Sequence, residues 1–152
     1  LIRYRKKDIV KVITGIRRCG KSVLLNELFY EYLLSDGVPL DHIIKVSLDL
    51  KKWEALRNGD MLYHYIAEAI HDDELYYVFL DEIQLVENFQ KAVDSLFIKD
   101  NVDVYITGSN AWLLSGELAT LLSGRYVEIR MLPLSFQAAV PRYQYYLSRT
   151  WD

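Results

Sequence analysis

The stretch GIRRCGKS, Gly15 to Ser22, constrains this chain more than any other. It follows the apolar, β-branched run DIVKVIT (Asp8 to Thr14) and precedes SVLLNELFYEYLLSDG, where Leu24, Leu25, Leu28, Phe29, Tyr32 and Leu33 recur at helical spacing. A strand buried on both faces therefore passes through a glycine loop directly into a helix, and SDG stops that helix. The loop fits G-x-x-x-x-G-K-[ST] at Gly15, Gly20, Lys21 and Ser22. Glycines there let the backbone curl with successive amides facing inward. The helix start adds unpaired N–H groups and its dipole, so the segment suits an anion such as a phosphate chain.

The alternation continues beyond the loop. IIKVSLDL (Ile43 to Leu50), LYYVFLDE (Leu75 to Glu82), VDVYITGS (Val102 to Ser109) and YVEIRML (Tyr126 to Leu132) read as strands. MLYHYIAEAI (Met61 to Ile70) and ENFQKAVDSLFIKD (Glu87 to Asp100) read as helices, and AWLLSGELATLLSG as a helix interrupted near Ser115-Gly116. Repeated strand and helix predict an α/β three-layer sandwich, a mainly parallel five-stranded sheet covered by helices on both faces.

A phosphate loop calls for an acidic partner at the tip of a neighbouring strand. YVFLDE supplies it: Asp81 closes a run of four apolar or aromatic residues and Glu82 follows. The 60 residues from Lys21 to Asp81 leave room for helix, strand and helix before the chain returns beside the first strand. Asp81 and the Ser22 hydroxyl suit Mg²⁺, which takes oxygen ligands and keeps several waters. Glu82 points to the other side of the strand or leaves it, where it accepts a proton from an attacking water. Lys21 brings positive charge to the β and γ phosphates. Ile16, Arg17, Arg18, Cys19 and Val23 complete the nucleotide-binding segment, with Arg17 and Arg18 leaning over the nucleotide or facing solvent. Alkylation of Cys19 is expected to block nucleotide binding sterically.

Two further polar positions stand out. Asn110, at the end of ITGSN, is the first candidate to hold the attacking water and Ser109 the second; a helix cap is the other reading of both. Arg125, after Gly124, is a candidate to neutralise charge on the γ phosphate, within the chain or across a subunit boundary, or else a surface arginine.

Composition removes several classes. A chain of 152 residues supports one compact core rather than two, and a net charge of −3 gives no bulk case for nucleic-acid binding. The short basic cluster RYRKK, Arg3 to Lys7, reads as a solvated segment before a buried strand, with a phosphate or nucleic-acid contact as the rival reading. No stretch approaches the roughly 20 apolar residues of a membrane span, and no secretory leader is visible. Cys19 is the single cysteine, so no internal disulfide forms and a cytoplasmic setting is expected. Position 1 is Leu, and periodicity fades in AVPRYQYYLSRTWD; a nucleotide-binding core over 1–136 and a truncated or disordered tail over 137–152 are expected, as a piece of something longer or a truncated or disordered-ended product.

Taken together, VITGIRRCGKSVLL, VFLDEIQ, VYITGSN and SGELATLLSGRYVEIRMLPLSF resemble the prokaryotic AAA-type ATPase family, from about Asp8 to Phe136. The resemblance implies an AAA+ P-loop NTPase fold with strand order 5-1-4-3-2 and ATP and Mg²⁺ as ligands. It makes Gly15, Gly20, Lys21 and Ser22 the Walker A residues, and Asp81 and Glu82 the Walker B pair. Asn110 falls at the sensor position, and Arg125 in the arginine-finger region through which a homo-oligomer would act. Family members usually carry a C-terminal domain of unknown function. The resemblance would place a further helical segment before IRYRKKDIV and a helical lid after the core, and QAAVPRYQYY stands where the usual continuation after PLSF is expected.

The function this implies is Mg²⁺-dependent ATP binding and hydrolysis. A nucleotide-dependent interaction or regulatory module with little turnover is the alternative from another class. A P-loop small-molecule kinase is a third, though no acceptor pocket or arginine-rich lid stands out. A GTPase would want an N-K-x-D-like segment, which does not appear. No protein or DNA partner is named by the sequence.

Overall fold

Five parallel strands carry the fold, in a computed structural model that describes residues 1–109, 122 and 124–133. They are β1 (Val10–Gly15), β2 (Ile43–Ser47), β3 (Tyr76–Asp81), β4 (Val102–Ser109) and β5 (Tyr126–Met131). Their order in the sheet is β2-β3-β4-β1-β5, every neighbouring pair parallel. This is the 5-1-4-3-2 order and the α/β sandwich expected. One detail differs: the acidic strand β3 does not return beside β1, because β4 is inserted between them. Side chains of β4 therefore stand between the loop after β1 and the tip of β3.

Alternation along the strands sorts the side chains into two cores. Ile13, Tyr77, Phe79 and Tyr105 face one way and pack against Leu25, Phe29 and Leu33 of α1, which spans residues 21–35. Val12, Val78, Val104 and Ile106 face the other way. They meet Leu62 and Ile66 of α2 (Gly59–Ala69) and Val93 and Leu96 of α3 (Phe89–Phe97).

Several boundaries shift for local reasons. Helix α1 widens into π-helical turns over Leu24–Phe29, so residues four apart share its buried face, and Leu28 is only half-buried. Helix α2 starts at Gly59 rather than Met61 because the Asn58 carboxamide accepts the amides of Asp60 (3.0 Å) and Met61 (3.2 Å). Helix α3 is shorter than Glu87 to Asp100; Asn88, with φ 55°, turns the chain just before it. Strand β1 begins at Val10 rather than Asp8, and β2 ends at Ser47 before a 3₁₀ segment, Lys51–Leu56.

A charged pair is buried at the edge where the strands begin. Lys11 sits beside Tyr105 in register, and Asp103 lies two residues back on the same face. The fully buried Lys11 ammonium donates to the Asp103 carboxylate and to the Lys7 carbonyl (2.7 Å). Asp103 also accepts the Lys6 amide (2.9 Å) and the Tyr105 hydroxyl (3.0 Å), which completes the compensation a buried pair needs. The basic cluster is thus not simply solvated. Arg5 is tied down, donating to the Tyr77 hydroxyl (2.6 Å) and to Asp36 at the end of α1.

Candidate functional site

The glycine loop leaves β1 at a point with no room for a side chain. A Cβ on Gly15 would stand 2.8 Å from the Met131 carbonyl oxygen of β5 and would also strike the Cys19 sulfur. Gly20, at φ +95°, turns the chain into the first turn of α1, a conformation costly for any other residue. Lys21 then points back into the loop. Its ammonium, only 4% exposed, donates to the carbonyls of Gly15 (3.0 Å) and Ile16 (2.9 Å). Among the described residues no carboxylate pairs with Lys21. Cys19 is buried, its Sγ 4.0 Å from the Lys21 nitrogen, while Ile16, Arg17, Arg18, Ser22 and Val23 are exposed.

Across β4 stands the acidic tip of β3. Asp81 is buried at the strand end and accepts hydrogen bonds on both oxygens, from the Thr107 hydroxyl and from the Asn26 carboxamide (3.2 Å). Thr107 in turn accepts the backbone amide of Glu82 (3.0 Å). Glu82 takes φ 59° and leaves the strand, the second of the two paths open to it, and Gln84 donates its amide to the Glu82 carboxylate. A cavity of about 360 Å³ joins the two halves, lined by Arg17, Lys21, Asp49, Glu82, Gln84 and Ser109.

The residues present fit a phosphate chain with Mg²⁺. A buried ammonium without a counter-charge is costly, and a phosphate oxygen would supply the missing anion. The Asp81 carboxylate and the Ser22 hydroxyl are the hard oxygen donors Mg²⁺ prefers. Asn26 holds Asp81 with its amide while its own carbonyl oxygen, buried, has no hydrogen-bond partner among the described residues. That leaves an acceptor free for a bound water or hydroxyl.

Gly15, Gly20, Lys21, Ser22, Asp81, Glu82 and Ser109 thus gather at one edge of the sheet. Arg125 does not join them. It precedes β5 at the opposite edge, exposed, its guanidinium 5.6 Å from the Phe97 ring centroid. The six residues of β1 separate the two edges by about 17 Å, so the within-chain role expected for Arg125 is not available in this arrangement. Asn110 lies outside the described residues. Three side chains escaped the sequence reading: Thr107, Asn26 and Gln84. Strand alternation places Thr107 on the face of Ser109, and Asn26 follows Ser22 by one helical turn, so both were within reach of spacing alone.

Comparison with known proteins gives a family. A family described as an AAA domain matches residues 7–140. An uncharacterized Haemophilus influenzae protein is 45% identical over 138 residues, covering 90% of this chain and 34% of the relative. An uncharacterized protein of Methanocaldococcus jannaschii is 32% identical over 132 residues, covering 84% and 27%. The chain therefore spans about a third of the length of the curated relatives it matches. Among solved structures, Cdc6p from Pyrobaculum aerophilum aligns with a TM-score of 0.62 at 12% identity, over 95% of this chain and 45% of that one. In the S. cerevisiae Hsp104:casein complex a chain aligns at 0.65 and 18% identity, over 95% and 29%. These distant likenesses bear on fold alone. No helix among the described residues is long and apolar enough to cross a membrane. On the family match and the fold, the chain belongs to the AAA domain family, within the AAA+ superfamily of P-loop NTPases.

Proposed function

We propose that this chain binds ATP with Mg²⁺ between the loop of residues 15–23 and the tip of β3, and hydrolyses it. The observation that carries the proposal is the cavity shared by Lys21, a buried cation with no carboxylate partner among the described residues, and Glu82, next to the Asp81 that Thr107 holds. Loop amides and Lys21 bind the phosphates and stabilise charge on the transferring group. Ser22 and Asp81 would hold Mg²⁺, which would supply neutralisation of phosphate charge. Thr107 and Asn26 keep the Asp81 carboxylate aimed, while Glu82 accepts a proton from the attacking water. The Gln84 amide on Glu82 orients that base. Ser109 and Asn110 are assigned to positioning the water.

A second reading rests on Arg125. Its place at the far edge means that a finger role requires a neighbouring copy, so an isolated chain would bind nucleotide and turn over slowly. In that state nucleotide acts as a switch for the larger protein, whose partners and task are not fixed by this segment.

The test is a calorimetric titration of ATP against GTP with Mg²⁺, repeated on Lys21→Ala, followed by phosphate release at many turnovers. Binding lost in Lys21→Ala and phosphate in excess of chain support the ATPase. Stoichiometric binding without turnover, even at high chain concentration, supports the switch. Equal affinity in wild type and Lys21→Ala contradicts both.

A further inference from the structure

A second cluster of chemistry-bearing side chains lies at the sheet edge opposite the nucleotide site. Asp41 and His42 close the 3₁₀ turn Leu40–His42 that leads into β2, and His71 and Asp72 lie between α2 and β3. Folding brings these two adjacent pairs together. The Nε2 of His42 is 3.1 Å from Oδ2 of Asp72, and the Nε2 of His71 is 3.5 Å from Oδ2 of both Asp41 and Asp72. Ligand atoms from Asp41, His42 and His71 all lie within 4.8 Å of one another.

Hydrogen-bond partners hold the far side of the His71 ring: its Nδ1 faces the Ala69 carbonyl (3.3 Å) and the Tyr76 hydroxyl (3.0 Å). Its Nε2 is thereby aimed at two carboxylate oxygens, a set of donor atoms that a shared metal cation would bind together. Asp72 is similarly prepared: its Oδ1 accepts the Glu74 amide (3.0 Å), leaving Oδ2 turned toward both histidines. Asn101 clamps the same segment by donating to the carbonyls of Asp72 (3.1 Å) and Glu74 (3.3 Å).

Size and donor type then select the cation. Ligands about 2.0–2.1 Å from a tetrahedral metal stand about 3.3 Å from each other. The 3.5 Å between His71 Nε2 and Asp41 Oδ2 is close to that edge. Two imidazoles with a carboxylate favour zinc over the all-oxygen preference of Mg²⁺ or Ca²⁺. The Tyr76 hydroxyl beneath Nδ1 is the kind of outer partner that orients a metal-bound histidine. We propose that Asp41, His42 and His71 form a zinc site that staples the turn before β2 to the segment before β3, with Asp72 orienting both histidines. The site lies a strand's length from the nucleotide, and its occupancy does not depend on ATP binding. Because Asp41 and His71 are more than half exposed, the bound metal is exchangeable and raises the stability of the β2 edge.

The test uses the whole chain, stripped with chelator and free of nucleotide, titrated with Co²⁺ and then Zn²⁺. The expected result is one Co²⁺ per chain with the visible bands of tetrahedral cobalt, bleached by Zn²⁺, and a higher melting temperature with Zn²⁺. His71→Ala, an exposed position that leaves the core intact, and Asp72→Asn should each weaken binding by about tenfold or more. Tyr76→Phe should weaken it less, and His64→Ala not at all. A folded protein without the tetrahedral bands, or bands unchanged in His71→Ala, would overturn the proposal.

Discussion

The Thr107 hydroxyl of β4 donates to the Asp81 carboxylate of β3 while accepting the Glu82 amide. One small side chain thereby sets both the acidic residue that closes the strand and the turn that carries the next one out of it. Thr107→Val keeps the shape and removes the hydroxyl. It should lower phosphate release by roughly 10–100-fold, the usual effect of losing an outer partner of a ligand, with ATP affinity within a few-fold of wild type. Thr107→Ser should retain most activity. Paired calorimetry and phosphate-release assays measure the split; equal loss in both variants would assign Thr107 a packing role instead.

The buried Lys11–Asp103 pair predicts a strong asymmetry between single and double variants. Lys11→Met leaves Asp103 buried without its cation and should cost about 3–5 kcal/mol in urea unfolding. Lys11→Met with Asp103→Asn should recover most of that loss, because Asn can still accept from the Lys6 amide and the Tyr105 hydroxyl. Additive losses in the double variant would contradict the coupling.

Alkaline pH acts on the same network. Burial pushes the Tyr105 hydroxyl well above the ordinary tyrosine range, and the neighbouring Asp103 adds to it. Burial also raises Tyr77, against the pull of Arg5. Both groups hold their protons more tightly folded than unfolded. Their contribution is complete below the unfolded tyrosine value of about 10 and is lost as pH rises above it. Unfolding midpoints should therefore fall beyond that pH. Burial raises Tyr76 as well, so ultraviolet titration of the folded chain should show Tyr76, Tyr77 and Tyr105 ionising only as it unfolds, and Tyr105→Phe should remove one of these late-titrating groups.

Arg125 and Lys21 lie at opposite edges of the sheet, which predicts complementation between copies. Lys21→Ala and Arg125→Ala proteins, each inactive alone, should regain part of the phosphate release when mixed, since one keeps a working loop and the other a working arginine. No gain at any mixing ratio would remove Arg125 from the reaction.

Fold and site were legible in the sequence to different depths. The alternation of β-branched runs with helical periodicity located all five strands, because strands buried on both faces and helices with one apolar side leave unmistakable patterns. The glycine spacing and the DE pair after an apolar run pointed to Lys21 and Glu82, which line one cavity. Harder to read were features created by pairing between distant segments. That β4 separates β1 from β3 is a fact of topology, and only it makes Thr107 the link between the halves. Lys11 in a buried strand, Arg5 on Tyr77, and the meeting of Asp41 and His42 with His71 and Asp72 likewise depend on register and return. The π-helical turns of α1, which accompany Asn26 at Asp81, left no mark in the leucine spacing.

The most direct test is phosphate release by Glu82→Gln at an ATP concentration that fills both variant and wild type. The proposed chemistry predicts unchanged ATP affinity with turnover lowered by about 10²–10⁴-fold, the contribution of a positioned general base. Turnover equal to wild type at equal occupancy would contradict it and take Glu82 out of the reaction.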